Sequence, residues 1–107
     1  MEIHKLSSYK NSWIIGDFSP ALLQTKDFEI ACKSYKAKTC DPKHIHYIAK
    51  EISVVTWGIC KINEQLLGAG DIVVIEPGEV AEFEAVTDCQ LTCIKWPSCP
   101  QDKHIVK

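Results

Sequence analysis

The stretch CDPKHIHYIAKEISVVTWG, Cys40 to Gly58, decides how this chain is read. It places His44 and His46 one residue apart and Glu51 five positions further on, directly before a β-branched run. On a strand, residues two apart share a face and stand about 6.6 to 6.8 Å apart, so both imidazoles can aim at one point. Glu51 has the wrong parity to join them on one straight strand. The chain must turn or bulge within Tyr47–Lys50, where no strong turn-forming residue stands. A helix would align His44, Ile48 and Glu51 but leave His46 off that face, and the β-branched residues that follow disfavour it.

The rest of the chain supports strands. Alternation in FEIACKSYKA (Phe28, Ile30, Cys32) suits a half-buried strand, and EISVVTWGICKI is rich in residues that stiffen χ1. DIVVIEP, VAEFEAV and QLTCIKW follow, separated by NEQ, GAGD, EPGE and TD, which carry turn residues. Short strands at this spacing predict an all-β sandwich or barrel. SPALLQTKDF is the exception: Ser19 is placed to cap a short helical turn with Pro20 in its first position. Residues 96–107, polar and with two prolines, read as an arm outside the core.

At 107 residues the chain fits one domain, and 46% hydrophobic with 24% charged residues is a globular composition. All 12 basic residues are lysine against 14 acidic ones, with no basic run to track a phosphate backbone. Nucleic acid is not an expected partner. Without arginine, a strongly anionic ligand has to be met by lysine, histidine, a metal or backbone amides. No apolar leader and no run of about 18 apolar residues is present, so the expectation is a cytoplasmic protein with no membrane partner. The six cysteines then read as reduced, small hydrophobes.

His44, His46, Glu51 and Gly58 match in order and spacing the first motif of the cupin superfamily, and the chain resembles a small single-domain cupin. The position of that motif's opening glycine is Lys38. GAGDIVVIEPGEVAEFEA resembles the second motif, with Gly70, Asp71 and a turn at Pro77 and Gly78; its proline position is Glu76 and its asparagine position Ala85. The resemblance implies a jelly-roll β-barrel spanning 1–107, with a motif core at 38–85, an N-terminal strand and turn region at 1–27 and the arm at 96–107. It also implies that the chain doubles back between His46 and Glu51, and that two copies form a homodimer.

One departure matters. The second motif's histidine, a usual fourth metal ligand, is Ala81 here. His44, His46 and Glu51 remain as candidate metal ligands, by type suited to Fe, Mn, Zn or Ni. Glu82 and Glu84 fall on the face opposite Ala81, while Cys93 is a candidate replacement. Ser53 and Val55 share the parity of Glu51 and, with Ala81 and Cys93, are expected to line a ligand pocket. The function expected is binding of a divalent metal and a small molecule in the barrel mouth, as in a dioxygenase, isomerase or lyase. The alternative is a metal-free module for a small ligand, with the same residues forming a polar cluster. Trp57, Trp96, Tyr35 and Tyr47 are read as packing residues before ligand-stacking ones. His4 and His104 read as surface residues, and the glutamates of EPGEVAEFEA as a solvated edge.

Overall fold

The computed structural model describes all residues from Met1 to Lys107. Two single-turn 3-10 segments, Leu6–Ser8 and Lys10–Ser12, precede eleven strands: β1 (Trp13–Gly16), β2 (Leu23–Gln24), β3 (Glu29–Tyr35), β4 (Cys40–Ile45), β5 (Lys50–Trp57), β6 (Ile59–Ile62), β7 (Gln65–Gly68), β8 (Ile72–Ile75), β9 (Val80–Ala85), β10 (Cys89–Trp96) and β11 (His104–Ile105). One sheet has the order β2-β1-β3-β10-β5-β8, and the other β11-β4-β9-β6-β7. Every strand pairing is antiparallel except that of β1 with β2.

Alternation sorts β9 and β5 as expected, but in β3 the buried face is that of Glu29 and Ala31, and Ile30 and Cys32 lie on the outer face. In β9, Ala81, Phe83 and Ala85 are buried while Glu82 and Glu84 are exposed, and in β5 Glu51, Ser53 and Val55 face inward. The buried residues of both sheets meet in one core that includes Val55, Cys60, Phe83, Ala85 and Leu91. EISVVTWGICKI is two strands, because Gly58 at φ +80° breaks it and lets the chain pass from one sheet to the other. A Cβ at that position would run into the Asp88 carbonyl oxygen, so the glycine is required by close approach as well as by φ.

Two expectations are corrected. No helix forms at Ser19 and Pro20: the Leu22 and Thr25 amides donate instead to the Ile14 and Gly16 carbonyls, drawing the segment into strand pairing. Residues 96–107 are more than a loose arm, since β11 pairs with β4, and Ser98 and Asp102 are buried.

The outer face of the larger sheet is apolar. Ile94 lies between Ile30 and Ile52 in register, Ile52 pairs with Val74, and Val54 with Ile72. Ile72 is 63% exposed and Val74 48%, so this face is uncovered in a single chain.

Candidate functional site

The turn that the sequence leaves unexplained is capped from the far end of the chain. The Asp102 carboxylate, 2% exposed, accepts the backbone N–H of Tyr47 (3.0 Å), Ile48 (2.9 Å) and Ala49 (2.9 Å). Burial alone would raise the Asp102 carboxyl, but the three amide donors outweigh it and hold it below the usual carboxylate range. The Gly78 amide also donates to the His46 carbonyl at 2.7 Å, docking the Pro77–Gly78 turn against the same bend. The chain thus doubles back after Tyr47, and Glu51 faces the interior that His44 and His46 face.

A cavity of about 520 Å³ opens between the sheets, and a narrow extension of about 60 Å³ runs beneath it. His44, Glu51, Tyr35, Asp41 and Cys93 line both. Trp13, Glu29, Lys33 and Lys95 line the wide part, and Ser53 and Ala81 the narrow part. Val55 lines neither: at 0% exposed it belongs to the core, one step further down the strand than the cavity reaches.

His44 and His46 stand with ring centroids 5.0 Å apart and planes at 82°. His44 Nδ1 lies 2.9 Å from the Pro42 carbonyl oxygen. That oxygen only accepts, so Nδ1 carries the proton and Nε2 of the neutral ring keeps its lone pair. His46 Nε2 is 3.0 Å from Lys95 Nζ, while His46 Nδ1 is buried with no partner. Burial first and the Lys95 charge second push the His46 imidazole down to about 4, so it is neutral at pH 7 and accepts from the ammonium.

Lys95 is the cross-strand partner of Glu51 on β5 and of Glu29 on β3. Its Nζ also sits 4.9 Å from the centroid of the Trp13 ring, and Lys33 Nζ sits 5.2 Å from it. Neither lysine has a carboxylate oxygen within 4.0 Å; the cavity's ion pair is Lys103 with Asp41, at 3.6 Å. Lys33 donates to the Asn11 carbonyl at 2.6 Å, and burial lowers its pKa.

His44, His46 and Glu51 share the interior, yet no group of three or more His, Cys, Asp or Glu side chains is arranged to hold a metal ion. Ala81 lies directly opposite His44 in the β4–β9 register, so the missing histidine would have pointed in beside it. Cys93 does face inward, with Sγ 3.7 Å from Ser53 Oγ, and burial pushes its thiol up to about 11.

The two-sheet barrel, with both motifs meeting at its mouth, matches solved structures over two thirds or more of the chain. A protein with a double-stranded β-helix domain from Klebsiella pneumoniae aligns over 97% of this chain and 90% of its own at TM-score 0.76 and 17% identity. A cupin-2 domain containing protein from Shewanella frigidimarina covers 67% of this chain and 72% of its own at TM-score 0.59 and 22% identity. The chain has the cupin fold. The polyketide cyclase RemF from Streptomyces resistomycificus shares it, over 78% of this chain and 63% of that one, at TM-score 0.68 and 16% identity. No protein-family model and no curated protein matches the sequence.

Sequence reasoning missed Lys95, Lys33 and Trp13. The signal for the lysines was present: Leu91, Cys93 and Lys95 have one parity, as do Ala31, Lys33 and Tyr35, so inward placement of Cys93 carries Lys95 inward with it. Trp57 and Tyr47 are 55% and 60% exposed, and neither packs in the core nor lines the cavity. His4 and His104 are at the surface.

Proposed function

We propose that this cupin binds a small organic anion, a carboxylate, in its barrel mouth with Lys95 supplying the positive charge and no metal ion resident. The observation that carries this reading is the half-buried Lys95 ammonium, held against the His46 imidazole and the Trp13 ring, with Glu29 and Glu51 as its cross-strand neighbours but no carboxylate oxygen within 4.0 Å. An ammonium that faces the cavity without a direct ion pair is placed to make one with an anionic ligand. Lys33 stands against the same ring as a second anchor. The cavity's volume suits a ligand of metabolite size.

The experiment is a thermal-shift and calorimetric comparison of pyruvate, succinate and benzoate with their neutral amides. Stabilisation by at least one acid and not by its amide, abolished in Lys95→Met, supports the reading. Equal response to acid and amide, or a response that survives the substitution, contradicts it.

A catalytic reading rests on one further observation: the tautomer of His44 leaves Nε2 with a lone pair in a residue that lines the same cavity. A neutral imidazole held that way, near a fixed ammonium, is equipped to take a proton from a bound acid while the ammonium steadies the negative charge that develops. Exchange of substrate C–H for deuterium in D2O, dependent on His44, is its test.

The partner proposed for the outer face of the larger sheet is a second copy of the chain. Its apolar rows across β3, β10, β5 and β8 form a contiguous surface of the kind that homodimers bury.

A further inference from the structure

We infer that the Lys95 ammonium stands in the place of a metal ion, as the built-in cation of a two-histidine, one-carboxylate site that would otherwise admit one. The inference rests on the metal-free reading above.

The side-chain types of a metal centre are present and face inward, with His44 at the end of β4, His46 directly after it and Glu51 on β5, although in this geometry they form no ligand cluster. His44 is set up as a ligand would be, with Nδ1–H donated to the Pro42 carbonyl and Nε2 left bare. His46 is not, because its Nε2 faces Lys95 Nζ at 3.0 Å. A divalent ion binds imidazole nitrogen at about 2.0 to 2.1 Å, along the lone pair that this hydrogen bond already uses. Ion and ammonium therefore compete for one lone pair, and their like charges forbid sharing the space. Two features hold the lysine inward. Its strand position is opposite Glu51, so the inner face is the only one its parity allows, and the Trp13 ring lies 4.9 Å from Nζ.

Ala81 fits the same account. A histidine there would stand opposite His44 and strengthen the site for an ion that the lysine excludes. The consequence is a positive centre that is covalently part of the chain and does not depend on metal supply. Such a centre pairs with an anionic oxygen but supplies no redox change of its own.

The test is titration of Co(II) into tag-free wild type, Lys95→Met, and Lys95→Met combined with His46→Ala, followed by visible absorption and elemental analysis. Wild type is expected to hold less than about a tenth of an equivalent under conditions where Lys95→Met binds one equivalent, with affinity raised at least about tenfold. The double variant is expected to lose that gain. A folded Lys95→Met protein that binds Co(II) no better than wild type overturns the inference and leaves the metal-free reading standing. Wild type that binds a full equivalent overturns both. Should Lys95→Met fail to fold, Lys95→Gln carries the same comparison.

Discussion

Lys95 Nζ lies 3.0 Å from His46 Nε2, so the imidazole lone pair on that nitrogen is already engaged by the ammonium. The neutrality of His46 and the charge of Lys95 support each other, since an imidazolium beside an ammonium would be repelled.

That mutual dependence gives stability a pH dependence of known sign. His46 is pushed down to about 4 by burial and by Lys95, whereas in the unfolded chain it takes up a proton near its ordinary value of 6.5. Between those values the unfolded state binds more protons, so this contribution is fully present above pH 6.5, declines as the pH falls, and levels off below 4. Its upper limit is about 3 kcal/mol. Urea midpoints measured at about pH 7 and about pH 4.5 should fall for wild type and fall less for His46→Gln, which cannot titrate there. The same fall in both proteins would place the effect elsewhere.

Asp102 and the bend after Tyr47 form one unit. Asp102→Ala leaves three buried amide donors without their acceptor and is expected to cost about 2 to 4 kcal/mol. Because the bend carries His46, carboxylate affinity should weaken along with stability. Chemical denaturation and calorimetry on one sample read both; a loss of stability below about 1 kcal/mol would show that the cap is dispensable.

Lys38 occupies the position of the first motif's opening glycine, and its φ is +73°. The left-handed conformation is unfavourable for a residue with a Cβ, whereas glycine adopts it freely at some cost in unfolded-chain entropy. Lys38→Gly is therefore expected to stabilise the fold by about 0.5 to 1 kcal/mol, seen as a rise of a few degrees in melting temperature. A fall in melting temperature would contradict this.

Val54 sits in the middle of the exposed sheet face, between Thr92 and Ile72. If a second copy covers that face, Val54→Glu buries an unpaired charge in the interface and should leave a folded monomer, where wild type is a dimer by light scattering. A wild type that is monomeric at high concentration would remove the dimer.

Much of this architecture was legible in the sequence, because alternation fixes which side of a strand faces inward. Ala81, Phe83 and Ala85 against Glu82 and Glu84 could be sorted by parity alone, and so could Glu51 with Ser53. The bend after Tyr47 was legible only by resemblance, since its stabilising carboxylate comes from Asp102, more than fifty residues away. Helix propensity at Ser19 and Pro20 lost to strand pairing with β1, a tertiary preference that no local window contains. Val55 failed as a pocket residue because parity gives the face but not the depth. The Lys95–His46 pair was overlooked because a lysine in a strand is ordinarily read as solvent-facing, although parity with Cys93 already places Lys95 on the inner face.

The most direct test is a crystal structure of tag-free wild-type protein incubated with excess Mn(II) or Ni(II), with anomalous maps calculated at the metal's absorption edge. The account predicts Lys95 Nζ within hydrogen-bonding distance of His46 Nε2 and no anomalous peak among His44, His46 and Glu51. A peak bonded to those three side chains, with Lys95 swung away from His46, would contradict it.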